Sequence, residues 1–343
     1  MAPLFLRSRA LLMPVPALYA ANSRIRTTSP GALCAALWCT VAVLVLATLV
    51  PAALSWRLIA NYAALALLPV QTESEMSFQA PPGTPPFHDG QGLAIAADGT
   101  VFATDLAGGR LLAFAPGSVE GHIFAPGPGE PALRRPCGVA LTPDQRQVYV
   151  LDRETGLVFV YHRRGGFIGA EQLASPGALG ITVDAAGRVY IADTGMGLVR
   201  RFGPDLKPDL SWGDSVTPGG AHVGGVVGLA VLDHELYASI PETHEVVRLD
   251  RNGRIRSRTP SRGNAGWLAA TPDRRLLMSD LATSRVWLLD GDGQTVGRVT
   301  SAIPGEALFG QPRGLAVQGS RLYVLNDSRV TVYRVLERGR AVP

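Results

Sequence analysis

The sequence predicts an all-β fold: a six-bladed β-propeller of four-stranded blades, preceded by one N-terminal transmembrane helix. Three observations carry that expectation. One pattern recurs six times, starting at Gly92, Gly138, Gly180, Gly228, Trp267 (in the glycine slot) and Gly314, at spacings of 46, 42, 48, 39 and 47 residues. That is the length of one propeller blade. Each copy is a chain of short apolar runs rich in β-branched and aromatic residues, separated by Pro/Asp/Gly turns, with no stretch of helical period. Ahead of them lies an uncharged apolar run, GALCAALWCTVAVLVLATLVPAAL, from Gly31 to Leu54.

Residues 1–30 hold Arg7, Arg9, Arg24 and Arg26 and no acid, and read as a basic cytoplasmic segment. Residues 31–54 read as a signal-anchor helix. At ~1.5 Å per residue it reaches ~36 Å, more than the ~30 Å of a hydrocarbon core. Ser29 suits the N-cap and Pro30 the first helical position. A cleaved signal peptide has a shorter apolar region of ~7–15 residues, so an uncleaved anchor is expected. Four arginines before the span against one, Arg57, after it put the N-terminus in the cytoplasm and the repeats outside, in a periplasmic or extracellular space. Residues 55–71 form a juxtamembrane segment, in which 58–70 suit a helix in or near the interface.

Residues 72–338 hold the repeats, and 339–343 form a tail. In each repeat the third and fourth strands should join through hairpins, clearest at Asp250–Gly253 and Asp290–Gly293, where Asn-Gly and Asp-Gly favour type I′ turns. The segment Met76–Gln79 should complete the last blade after Val330–Val335, closing the ring and removing its open edge. The linker from the membrane then enters at the bottom of the disc, beside the hairpins. Loops leading into the innermost strands lie on the opposite, top face.

The blocks PCGVALTPDQRQVYVLDRETGLVFVY and GALGITVDAAGRVYIADTGMGLVRRF resemble NHL repeats, the units of six-bladed propellers in the TolB-like and gluconolactonase-like superfamily. The resemblance covers residues 72–338 and is strongest in the second and third repeats. It is weakest in the fourth, where Ile240 stands in the place that Asp193 holds in the third.

Charge narrows the class of partner. No acid precedes Glu73, and five of the 32 basic residues lie in that stretch, leaving 27 against 28 acids in the rest. A near-neutral repeat region gives no electrostatic reason for nucleic acid binding. Lys207 is the only lysine, and the arginine excess reads as codon bias. Cys34 and Cys39 lie in the apolar run, which leaves Cys137 alone in the repeats without a disulfide partner.

Features that recur in every repeat point to the fold, and departures from the repeat point to function. Asp105, Asp152, Asp193, Asp280 and the variant Asn326 recur after the second strand, where a short carboxylate accepts turn N–H groups. The departures gather before the innermost strands: His88, Asp89 and Gln91; Arg134, Arg135 and Cys137; His222; Asn264 and Trp267; Gln311 and Arg313. His88 and His222 would face each other across a six-membered ring, and imidazole suits zinc, yet a catalytic zinc wants a third protein ligand that is missing here. Arg134, Arg135 and Arg313 would suit a carboxylate or phosphate. Trp267 would plug or line the channel. Each has a plain alternative: histidines on solvated loops, an ordinary arginine face, and core packing for Trp267.

Related scaffolds carry enzymes. The gluconolactonase and senescence-marker family takes its first metal ligand from a Glu-Gly-Pro run at the first inner strand, where this chain reads FHDGQG and lacks the Glu. The peptide-amidating lyase resembles NHL proteins and uses channel histidines on zinc, which only His88 and His222 echo. No G-x-S-x-G, H-E-x-x-H or P-loop is present. The expectation is therefore a membrane-anchored, extracytoplasmic binding or scaffold module for a small anionic ligand, a peptide or a protein partner. It has no assigned cofactor. The alternative is a metal-assisted hydrolase or lyase, lactonase-like or amidating-lyase-like, with its site at the channel mouth.

Overall fold

The structure, a computed structural model, describes residues 68–336 apart from 79, 125, 214–218 and 302–308. The expected cytoplasmic segment, the anchor helix 31–54 and the tail lie outside the described residues. Among the described residues, no helix is long and apolar enough to cross a membrane.

The fold is all-β and propeller-like. After β1 (Leu68–Phe78), the chain makes antiparallel sheets of four consecutive strands. The first is β2 (Gly90–Ile95), β3 (Val101–Asp105), β4 (Arg110–Phe114) and β5 (Gly121–Phe124). The second is β6 (Pro136–Leu141), β7 (Gln147–Asp152), β8 (Leu157–His162) and β9 (Phe167–Gln172). The third is β10 (Gly180–Val183), β11 (Val189–Asp193), β12 (Leu198–Phe202) and β13 (Gly220–His222). The fourth is β14 (Leu229–Leu232), β15 (Glu235–Ile240), β16 (Glu245–Leu249) and β17 (Ile255–Pro260). The remaining strands are β18 (Ala265–Ala270), β19 (Leu276–Asp280), β20 (Arg285–Leu289), β21 (Thr295–Ser301), β22 (Gly314–Gln318), β23 (Arg321–Leu325) and β24 (Val330–Val335).

These last strands depart from the expected six separate sheets. Four sheets stand alone, and the rest form one eight-stranded sheet, ordered β18-β19-β20-β21-β1-β24-β23-β22. The cause is β1. Its second half pairs antiparallel with β24, Phe78 opposite Val330, as expected for closure. Its first half runs on and pairs in parallel with β21, Leu68 opposite Gly297 through Thr72 opposite Ser301. Strand structure thus begins four residues before the boundary expected at 72, in what was read as the end of a juxtamembrane helix.

The hairpins also differ from expectation. At the β16–β17 turn only Gly253 takes a positive φ, +82°, and the pairing slips by one residue after Arg248. This is a three-residue loop with a glycine bulge rather than a type I′ turn. The Asp250 carboxylate accepts N–H bonds from Asn252 and Arg254 at 2.9 Å each, which removes the need for a second positive φ.

Middle strands are buried on both faces, as in VFATD of β3, because neighbouring sheets stack face to face. Outer strands such as β9 and β17 are largely exposed. The core is accordingly divided among clusters, each shared by two successive four-strand units. Phe102 and Phe159 join the first and second, and Trp212 and Tyr190 bind the third to the fourth. Phe114 and Tyr323 join the last unit to the first. The innermost strands β2, β6, β10, β14, β18 and β22 pack side by side in a closed ring.

Candidate functional site

Each innermost strand lies at the edge of its sheet, so one row of its backbone groups faces the axis. The glycine that opens the repeat has a packing reason. A Cβ added at Gly92, Gly138, Gly180, Gly228 or Gly314 would lie 2.4–2.9 Å from the next inner strand or the residue leading into it. At those five positions only glycine allows backbones that close. Trp267 occupies the same slot in β18 and is the single aromatic lining the central cavity among the described residues.

The ring encloses a cavity of about 360 Å³, lined by all six inner strands. Its wall is Leu93, Val139, Ile181, Leu229, Trp267 and Leu315 with their small neighbours. No Asp, Glu, His, Lys or Arg lines it. The one ionisable group, Cys137, donates its S–H toward Leu151 O and Ala178 O, and burial pushes its thiol far up. A thiol held neutral in this way is not a nucleophile.

Charged groups stand at the top of the ring. Asp105, Asp152, Asp193 and Asp280 are fully buried. The Asp152 carboxylate accepts N–H bonds from Arg134 (2.7 Å) and Arg135 (2.8 Å) on one oxygen and from Glu154 and Thr155 (3.1 Å each) on the other. Asp280 does the same for Asn264, Ala282 and Thr283. These carboxylates fasten loops to strands, as the repeat suggested. Asp105 adds a buried ion pair with Arg110, Nε to Oδ2 at 2.9 Å, and Arg110 also donates to Pro85 O and Pro86 O.

The candidate residues separate into three groups. Trp267 lines the channel, half-buried, with its backbone N–H donated to Ser279 Oγ at 2.8 Å. His88 is exposed just above β2, its backbone N–H bonded to Asp105. His222, by contrast, ends β13, the outermost strand of the third sheet, opposite Leu198. A loop through Gly224 and Gly225 separates it from the inner strand, so the pair does not face across the channel. Among the described residues, no three His, Cys, Asp or Glu side chains gather as a metal set.

The three arginines are not brought together either. Arg134 pairs with Glu154 at 3.0 Å. Arg313 bridges Asp89 and Asp327, joining the last unit to the first, and Gln91 donates to the same Asp89 at 2.9 Å. Of the three, only the Arg135 guanidinium has no carboxylate partner among the described residues. Sequence reasoning missed two features: Arg153 beside Arg135, and a hydroxyl one residue before the recurrent Asp position. Thr104, Ser239 and Ser279 each accept the N–H of the inner-strand slot residue, at 2.7–2.8 Å. Aligning the repeats on Asp would have displayed that hydroxyl.

No protein-family model and no curated protein matches this chain. Solved structures share its fold. Virginiamycin B lyase from Staphylococcus aureus superposes with a TM-score of 0.56 at 10% identity, over 78% of this chain and 100% of that one. A gluconolactonase from Xanthomonas campestris gives 0.57 at 15% identity, over 77% and 99%. A putative gluconolactonase gives 0.56 at 15% identity, over 79% and 94%. At these identities the likeness is one of fold.

Proposed function

We propose that this chain is a six-bladed propeller enzyme, a lyase or hydrolase that takes a compact small molecule into the central channel. The six-bladed count treats the eight-stranded sheet as two blades fused through β1. The observation that carries the reading is the central cavity of about 360 Å³, within the range of small-ligand sites, on which all six inner strands converge. The lyase and gluconolactonase fold neighbours support it by analogy, which is an argument about scaffold and not about site.

The cavity wall presents mostly polar surface, edge backbone groups with Gln145 and Thr182, which suits hydrogen bonding to a substrate, and it offers Trp267 as a stacking face. Because the wall carries no acid–base side chain, proton transfer belongs to the mouth. His88 and Asp89 above β2 are the groups available there, Asp89 oriented by Gln91 and Arg313. A metal-assisted form of the reaction has no three-residue ligand set among the described residues. Among the described residues, the exposed large hydrophobic residues Met76, Val119, Ile168, Met196, Leu210 and Ile255 lie on separate elements. Presentation outside a membrane on the N-terminal anchor remains part of the proposal.

The test is titration of the purified chain with a panel of lactones and cyclic depsipeptides, read by tryptophan fluorescence. A saturable change that disappears in Trp267→Phe is expected. A change that persists in that variant would remove the channel from the site.

A further inference from the structure

Two arginines, Arg135 and Arg153, border one cavity at the rim of the channel. Arg135 ends the loop leading into β6, and Arg153 begins the turn after β7. Their backbones are locked side by side: Arg153 N–H donates to Arg135 O at 2.9 Å, and Gly177 N–H donates to Arg153 O at 2.7 Å. Both line a cavity of about 260 Å³ with Glu154, Pro176 and Gly177. Four other arginines of the top face have carboxylate partners: Arg110 with Asp105, Arg134 with Glu154, Arg200 with Asp193, and Arg313 with Asp89 and Asp327. Arg262, Arg285 and Arg329 have none among the described residues, but they line no shared cavity with a second arginine there. Among the described residues, neither the Arg135 nor the Arg153 guanidinium has such a partner, and the Glu154 charge at this cavity is already answered by Arg134 at 3.0 Å.

We propose that Arg135 and Arg153 form an oxyanion site, one that takes a carboxylate or phosphate group on the channel rim. Two like charges bordering one cavity repel, and an anion between them turns that repulsion into two attractions. The planar guanidinium fork bonds such groups bidentately. The site goes beyond the catalytic reading and does not depend on it, because its occupancy needs no turnover.

The experiment is calorimetric titration of the full chain with inorganic phosphate in one arm and acetate in the other, at low ionic strength. The proposal expects saturation by at least one anion, and the tighter of the two names the group. Arg135→Gln and Arg153→Gln should each weaken it about tenfold or more, the effect of losing a charge-assisted hydrogen-bond pair. Glu154→Gln should tighten it, since it removes a negative charge from the cavity and frees Arg134. Arg164→Gln, at the far hairpin between β8 and β9, should leave it unchanged. Thermal melts establish that each variant is folded, and Arg153→Lys, which keeps the charge and loses the fork, supplies a second variant at that position. The proposal is overturned if neither anion saturates. It is equally overturned if the Arg135 and Arg153 variants bind as the wild type or the Arg164 control does.

Discussion

Asp152 accepts bonds from four backbone N–H groups and the Thr155 hydroxyl, so it organises both loops that meet above β7. Replacing it with alanine strands those donors in a buried setting, at about 1–3 kcal/mol for each left without water. Asp152→Ala should therefore lose ~3 kcal/mol or more in urea unfolding. Glu154→Ala, which breaks an exposed pair, should stay within ~1 kcal/mol. Glycines give a second contrast. A Cβ at Gly138 would lie 2.9 Å from Ile181 Cγ2 in the next inner strand, whereas one at Gly169 on exposed β9 would meet nothing. Gly138→Ala should cost ~1–3 kcal/mol by overpacking. Gly169→Ala should be neutral or stabilising by ~0.5 kcal/mol, and thermal melts separate the two. The turn role of the aspartates was legible because their partners lie within the same repeat. The engagement of Arg313 was not, since Asp89 is 224 residues away and pairing across that distance leaves no local mark.

At the scale of elements, neighbouring sheets are tied through their turns. The turn after β2 meets the hairpin after β8 through Asp98 and Arg163, at 2.5 Å. The Asp98 carboxyl is held down to about 2, first by the Thr100 N–H and then by Arg163. A carboxyl with a lowered folded value stabilises the protein above its ordinary 3.8 and loses that contribution as pH falls toward 2. In urea titrations the advantage of the wild type over Asp98→Ala should be full above 3.8 and shrink to nothing near 2. Its size should be small, because the Asp98 side chain is 48% exposed and water screens the pair. An advantage that does not change across that window would contradict the assignment. Four strands per repeat were legible from apolar runs and turns. The closure of β1 on β24 was legible, but its parallel pairing with β21 was not: β21 lies far off in sequence, and parallel pairing has no hairpin to announce it. His222 was misplaced for a related reason, since the glycine-rich loop after it pushes the inner strand several residues downstream.

At the scale of the molecule, radial repetition brings six inner strands to one axis, and the repeat pattern made that axis legible in the sequence. What lines it was less so. The slot filled by glycine in five repeats serves close packing, and its replacement by Trp267 gives the cavity wall its single aromatic group among the described residues. The charged groups stay at the rim, where they close the ring or, at Arg135 and Arg153, face a cavity of their own. The central claim is that substrate occupies the channel. The most direct measurement is binding and turnover across the lactone and cyclic depsipeptide panel for the wild type and for Ala316→Phe, which fills the cavity from β22. The account predicts that the wild type acts on a member of the panel. It also predicts that the filled variant loses about a hundredfold or more, equivalent to ~2.7 kcal/mol, while its melting temperature stays close to that of the wild type. Turnover that survives the blocked channel, or a wild type that neither binds nor converts any member, would contradict it.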